Sequence, residues 1–589
     1  MITLKKNRLK LLLTISLCVL NTYSLNAMNE DMDQTKGTRP IKPRESDLTP
    51  PDGKLVITGG GIIGALTTYY AHKEATQKGR KLRVTINEKN KTIEETTACI
   101  ILPSLTALET GAVIPIGRAL VDKSKIIFSE PGGIRVDDVP GVQSAATTRF
   151  MEDAGIYSQD ENRRNVHENA MLELGKFSMD QWQAIYDEAD DTLKGIFERS
   201  NFNPCREPRQ STRVLHDGYR IDLLQKFPGA ANQARNIRLD NERIGYQNCA
   251  FLSPQEVVVI DPFLEDFCKS RSTADGRWQD DAAAIWRPGG CLDASRFLPE
   301  FYEYMRKSMG QYTNKSGVVK DCFRLKFDRE VVEVGLETYE NQATIGGLRF
   351  RTGKVQINKS IDKTRYVFAP GESVGTLTRL GIKEPSYTGF AGVALRLNIP
   401  LSEEEIARYK NFNHCMEVHQ DGVVLAWQAR YFDGKIIIAG AGTKALYGEE
   451  APTTDQAFAK TNNLIQLQMF NDVLPQFVSK ALGRPTLGQR LTQEDMKTLE
   501  DAGIAKRSAG RRAVAYDGVI TAGPAYTANG ERIQHATITT HLGSGGVSSG
   551  PGAVIATLSS VDPDFEFSTH PVIQNILKYS QTVRGPNDK

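Results

Sequence analysis

Between Lys54 and Glu88 the apolar pattern changes period twice. Lys54–Thr58, Lys-Leu-Val-Ile-Thr, is a short continuous apolar run and predicts a buried strand. It stops abruptly at glycine. From Ile62 the residues favour helix as far as Lys78-Gly79, where glycine predicts the stop. Leu82–Glu88, LRVTINE, then alternates with period two and predicts a second strand. Farther along, GFAGVALRLNIP (Gly389–Pro400) and VVLAWQARYFDGKIIIAGAG (Val423–Gly442) alternate in the same way and read as sheet core. His535–Leu558, HATITTHLGSGGVSSGPGAVIATL, reads as a strand, a glycine loop from Gly543 to Gly552, and a helix.

The first unit is therefore strand, glycine turn, helix, strand. Gly59-Gly60-Gly61-Ile62-Ile63-Gly64 satisfies G-x-G-x-x-G within it. Gly59 permits the tight turn, Gly61 lets a pyrophosphate approach, and Gly64 lets helix and strand pack closely. The helix N-terminus, at Ile62 and Ile63, offers free N–H groups and the positive end of a dipole to phosphates. Glu88 ends the second strand, where a carboxylate accepts ribose hydroxyls and repels a 2′-phosphate. The motif alone predicts a dinucleotide and does not choose between NAD and FAD. A second glycine element at the C-terminal end tips that choice. Reduced isoalloxazine carries negative charge near N1 and O2, and backbone N–H groups around Gly543, Gly545, Gly546 and Val547 would stabilise it.

Composition changes this picture little. The chain has 589 residues, formal net charge +2, 24% charged and 40% hydrophobic residues. That is globular composition with length for a large core, and it gives no reason to invoke nucleic acid. The N-terminus differs. A basic start (Lys5, Lys6, Arg8, Lys10) precedes an apolar run from Leu11 to Leu20, too short to span a bilayer. A signal peptide over 1–27 is expected, with export to the periplasm or the membrane surface and a cytoplasmic location as the alternative, followed by a Pro-rich linker over 28–52. Seven cysteines would remain after cleavage, scattered and without C-x-x-C, which disfavours iron–sulfur and zinc sites. His414, Cys415 and His419 fall in a strand-like stretch, and no metal is expected.

With these motifs in order, the chain resembles the FAD-dependent D-amino acid oxidase superfamily, which includes D-amino acid dehydrogenases, glycine oxidase and sarcosine oxidase. VITGGGIIGALTTYY looks like its opening fingerprint, and LSPQEVVVIDPFL (Leu252–Leu264) and RPGGCLDASRFLPEFYEYM (Arg287–Met305) resemble later segments. FDREVVEV resembles the next strand, which places Val331 by the adenine. YVFAPGESVGTLTRLGI resembles the strand end that carries Ala369 and Gly371. GRRAVAYDGVITAGPA (Gly510–Ala525) resembles the segment whose arginine clamps the substrate carboxylate, which implies that role for Arg512. Ala513 stands where the family has proline, Leu542 where glycine commonly follows the histidine, and TALETG (Thr106–Gly111) lacks the family asparagine.

The resemblance implies an α/β chain: a Rossmann-type FAD-binding domain (53–120, 284–385 and 505–575) interleaved with a mixed-sheet substrate domain (121–283 and 386–504), then a tail from 576. It implies oxidation of the amine of an amino acid by hydride transfer to FAD, with oxygen or a quinone as acceptor and peripheral membrane association as one outcome of export. His541 is either a flavin contact or a structural loop residue. Two other readings stay open. One is an FAD-binding or electron-transfer protein without catalysis. The other is a serine hydrolase with Ser548 in Gly546-Val547-Ser548-Ser549-Gly550, followed by Asp562 or Asp564 and His570.

Overall fold

The computed structural model describes residues 50–93, 161–200, 292–358, 363–371, 376–385, 387–410, 412–420, 423–443, 457–515, 520–542, 546–547, 549–562 and 564–580, with short segments between 126 and 288. The signal segment, the linker as far as residue 49 and the tail beyond 580 lie outside the described residues. So do Gly543, Gly545 and Ser548. For 387–393, 413–428 and 508–515 the backbone alone is described.

The local readings hold closely at the start. β1 (Gly53–Thr58), α1 (Ile62–Gln77) and β2 (Leu82–Asn87) follow one another, and Gly79 takes φ +63 just past the helix end. After them come α2 (Glu161–Glu188), α3 (Asp191–Arg199), β3 (Tyr219–Leu224), β4 (Ala250–Leu252) and β5 (Ala283–Pro288). Next are α4 (Ala294–Met309), capped by Asp293, and β6 (Phe323–Lys326). A meander of β7 (Val331–Tyr339), β8 (Gln342–Phe350) and β9 (Val355–Ile357) leads to β10 (Thr364–Phe368) and the short α5 (Thr376–Arg379). β11 (Tyr387–Pro400), α6 (Glu403–Tyr409), β12 (Asn413–Gln420), β13 (Val423–Phe432) and β14 (Lys435–Thr443) follow. Three helices, α7 (Ala457–Val473), α8 (Pro475–Leu482) and α9 (Gln493–Asp501), precede β15 (Ala505–Ala515). The chain closes with β16 (Thr521–Tyr526), β17 (Arg532–Thr540), α10 (Gly550–Ser559) and α11 (Pro571–Tyr579). The short pairs Ile126–Phe128 with Ile134–Val136, and Gln311–Thr313 with Val319–Asp321, form small sheets of their own.

Two large sheets organise these elements. The first runs β6-β2-β1-β10-β17-β8-β7, with β9 on β8 and β16 on β17. Its strands β6, β2, β1, β10 and β17 are all parallel. The order, with β1 central and the chain stepping outward through β2 to β6 before returning to β10, is a doubly wound Rossmann-type core. The fold class is thus α/β, as expected. One face of this sheet buries Val56, Tyr366, Phe368 and Ile538 against Val334, Ile345, Leu348 and Phe350 of the meander.

The second sheet runs β15-β11-β14-β13-β12-β3-β5-β4 and is mostly antiparallel. Leu395, Leu397, Ile399, Ala429, Ile436 and Ile438 pack on Leu467, Phe470, Phe477 and Leu499 of α7, α8 and α9. Asp433 and Gly434, with φ 45° and 70°, make the tight turn between β13 and β14. Within this sheet β5 pairs with β3 and β4, and β15 pairs with β11. Local pattern could not show it, because strand membership is set by pairing partners far away in sequence.

Candidate functional site

The glycine turn is shaped by backbone contact. Gly59 has φ +103, and a Cβ there would sit 2.1 Å from the carbonyl oxygen of Ala369. A Cβ on Gly64 would sit 2.3 Å from the Gly59 carbonyl oxygen. Real side chains are excluded at both, so β1, β10 and α1 meet backbone to backbone. Gly61 differs: a Cβ there meets nothing within 4 Å, and its extended φ of −74° suits any residue. Its lack of a side chain therefore serves neither folding nor packing, and the space above it is open. No side chain caps α1, so its first N–H groups have no side-chain acceptor.

Glu88 is 3% exposed. One carboxylate oxygen accepts the Gly60 N–H at 2.6 Å and the other accepts the Asn90 N–H at 2.9 Å. It braces the turn from below and keeps lone pairs for a further donor. The Tyr302 hydroxyl, from α4, donates to the Gly60 carbonyl at 3.0 Å and lies 3.2 Å from that of Gly61. The Ala369 N–H donates to Thr58, which holds Ala369 beside the end of β1, and Gly371 turns the chain away with φ +60. The Arg329 N–H donates to the Glu88 carbonyl at 2.8 Å, so Val331 starts β7 close to the end of β2. Thus Gly59, Gly61, Ile62, Ile63, Gly64, Glu88, Val331, Ala369 and Gly371 gather at the carboxyl ends of three parallel strands.

The C-terminal element reaches the same place. A Cβ on Gly546 would lie 4.0 Å from Ile62, and one on Gly550 2.9 Å from Leu66 and 3.5 Å from Ile63. The starts of α1 and α10 therefore lie side by side, although their sequences are separated by most of the chain. All ten residues of α10 are buried. Its N-cap Ser549 makes no capping bond, and the buried Ser549 hydroxyl is without a partner. Two residues that sequence reading did not single out hold this element. Trp182 donates its indole N–H to the Val547 carbonyl at 2.9 Å, and Ser178 accepts the Gly552 N–H at 3.0 Å. Both lie on α2, whose buried side also carries Leu174, Phe177, Met179 and Ile185, so nothing in the local pattern sets these two apart.

His541, at φ +59, enters the glycine loop. Its ring is buried between the Thr521 hydroxyl, 2.7 Å from Nδ1, and Glu384, 3.2 Å from Nε2. Both ring nitrogens are engaged within the protein, which is the structural of its two readings. Of the hydrolase residues, Ser548 lies outside the described residues, and Asp562 and His570 have structural partners. Asp562 is bridged to Lys78 at 3.3 Å and lies 3.6 Å from Arg365, and the His570 ring packs on Phe177 at 4.7 Å.

Arg512 lies in β15, opposite Phe390 of β11. Along the same pairing Arg396 lies opposite Lys506, an even number of residues away, so position 512 shares the alternation of Arg396. The intervening positions Leu395 and Leu397 belong to the face covered by α7–α9. Position 512 thus falls on the other face of the second sheet, which also carries Arg430. Arg430 forms a buried ion pair with Asp293, the N-cap of α4. Burial lowers the Arg396 guanidinium pKa, Asp293 opposes that, and Arg430 adds to it. Among the described residues no cluster of His, Cys, Asp and Glu is placed to hold a metal.

No family model matches the chain, and no curated protein does. Solved structures similar to it include iminodiacetate oxidase from Chelativorans sp. BNC1, at 14% identity and TM-score 0.44 over 86% of this chain and 95% of that one. L-alpha-glycerophosphate oxidase from Mycoplasma pneumoniae, with FAD bound, is 12% identical with TM-score 0.45 over 87% and 94%. Fructosyl amine:oxygen oxidoreductase (Amadoriase I) from Aspergillus fumigatus is 11% identical with TM-score 0.45 over 92% and 95%. The architecture rests on the strand order above.

Proposed function

We propose that the chain binds FAD across its two glycine elements and oxidises the amine of an amino acid. The observation that carries the reading is the meeting of Gly546 and Gly550 with Ile62, Ile63 and Leu66. A dinucleotide needs one uncapped helix N-terminus for its pyrophosphate. A second uncapped N-terminus beside the first suits a cofactor whose other end also gathers negative charge. The residues fit the group: Gly61 opens onto clear space, and the Ser549 hydroxyl is buried without a partner. In this reading α1 binds the pyrophosphate, Glu88 binds the adenosine ribose, and Val331 meets the adenine through its backbone.

FAD, when bound, supplies the two-electron acceptor for the Cα–H hydride of an amine. The chain's own part is binding and orientation. Arg512 would hold the substrate carboxylate by its two-pronged guanidinium, on the sheet face opposite α7–α9. Gly545, Gly546 and Val547 would turn their N–H groups toward the flavin pyrimidine edge. Trp182 and Ser178 hold that segment in place from behind. The imine product hydrolyses in water to a 2-oxo acid and ammonia or amine.

The test is anaerobic reduction with a panel of D-amino acids, glycine, sarcosine, proline and glycerol 3-phosphate. Wild type is expected to bleach with at least one amino acid. Arg512→Ala is expected to lose roughly ten- to a hundredfold in kcat/KM, since hydrogen bonds to charged groups are worth about 1.5–3 kcal/mol. Flavin content should be unchanged. Equal bleaching in both proteins, or reduction by a substrate lacking a carboxylate alone, would remove Arg512 from this role.

A further inference from the structure

The parallel sheet carries a second polar feature on the face that meets the meander. Register places Lys54 beside Arg83, Val56 beside Thr85 and Arg324, and Thr58 beside Asn87 and Lys326. In a parallel sheet such neighbours share a face, with strands about 4.8 Å apart and successive rows about 7 Å apart. Toward β10 and β17 this face is apolar and covered by the meander. Toward β6 it is not apolar at all. Lys54, Arg83, Arg324 and Lys326 frame Thr85 and Asn87 there.

Thr85 and Asn87 are each 2% exposed, yet the Thr85 hydroxyl and both polar atoms of the Asn87 amide have no hydrogen-bond partner. Buried polar groups almost always find one, because each orphan is costly. The framing charges are all of one sign. Burial first, then Arg83 and Lys326, lowers the Lys54 pKa. Burial first, then Arg329, Arg324 and Arg83, lowers that of Lys326. The charged groups that act on the two lysines are all cations among the described residues. Cations gathered around buried hydroxyl and amide donors are the chemistry of an oxyanion site.

We propose that this face of β1, β2 and β6 binds a small oxyanion of the phosphate class, on the meander side of the strand ends that lead into the glycine turn. The Thr85 hydroxyl and Asn87 amide donate to it, and Arg324 and Lys326 supply the charge. The feature stands whether or not the flavin reading is right.

The experiment titrates the purified full-length protein, with whatever cofactor it carries, with inorganic phosphate in a chloride buffer. Binding is followed by calorimetry and by melting temperature. Saturable binding is expected. Arg324→Gln with Lys326→Gln should weaken it by about tenfold or more, with cofactor content unchanged. Thr85→Val serves as a second variant, because it removes only an unpartnered hydroxyl. It should weaken phosphate binding while leaving the phosphate-free protein as stable as wild type or more so. A parallel arm with adenosine 5′-monophosphate separates a free phosphate ligand from a phosphomonoester: tighter binding of the monoester assigns the larger ligand, and otherwise phosphate itself is assigned. Absence of saturable binding in wild type, or equal binding in wild type and both variants, would overturn the proposal.

Discussion

Gly61 and Gly64 are three residues apart in one motif, and the structure gives alanine opposite consequences at the two positions. At Gly64 a Cβ would lie 2.3 Å from a backbone oxygen, far inside contact distance. Relief requires α1 to move off β1 by several tenths of an ångström or more. Alanine gains about 1 kcal/mol of helix propensity, but such overpacking costs typically ~1–3 kcal/mol and the obstacle is rigid backbone. Gly64→Ala should therefore destabilise the apoprotein by about 1–2 kcal/mol and weaken the cofactor too. At Gly61 nothing lies within 4 Å and the backbone is unstrained. Losing glycine as N-cap costs at most about 1 kcal/mol. Gly61→Ala should leave apoprotein melting within a few degrees of wild type. It should still raise the FAD dissociation constant by at least about tenfold, roughly 1.4 kcal/mol, because the methyl group occupies the approach to the N–H groups of α1. Apoprotein melting and FAD titration by fluorescence quenching separate the two effects. A Gly61→Ala protein that binds FAD as tightly as wild type would refute this reading of the turn.

Trp182→Phe removes the indole donor to Val547, and should cost about 1 kcal/mol of stability and loosen FAD, read by melting and by cofactor loss on dilution. Arg430→Met strands the buried Asp293 carboxylate, and should cost about 3–5 kcal/mol, read in denaturant unfolding; a loss under ~1 kcal/mol would show the pair to be dispensable. Export predicts a mature N-terminus near residue 28, and intact-mass measurement of protein from a membrane or periplasmic fraction checks it; full-length cytosolic protein alone would refute it.

Much of the fold was legible because its signals are local. The strand–turn–helix–strand unit from Gly53 to Asn87 appears within a residue of its expected ends, since glycine, apolar run and alternation all act over a few positions. Val423–Gly442, read as sheet core from its alternation, forms β13 and most of β14. What stayed hidden depends on contacts across the chain. No spacing rule places Gly546 on Ile62, Trp182 under Val547, or Tyr302 on the Gly60 carbonyl. Nor could pattern tell that β15, with Arg512, pairs with β11 rather than with the parallel strands. Glu88 was legible as a strand-end carboxylate, but its bond to the Gly60 N–H was not, because that bond depends on how the turn folds back.

The paired glycine elements predict a bound FAD. Absorbance of the purified protein from 300 to 550 nm, followed by denaturation and chromatographic identification of what is released, tests it most directly. The prediction is a flavin spectrum, release of FAD rather than FMN, and a stoichiometry near one per chain. Protein that is colourless as purified and cannot be reconstituted with FAD would contradict the account.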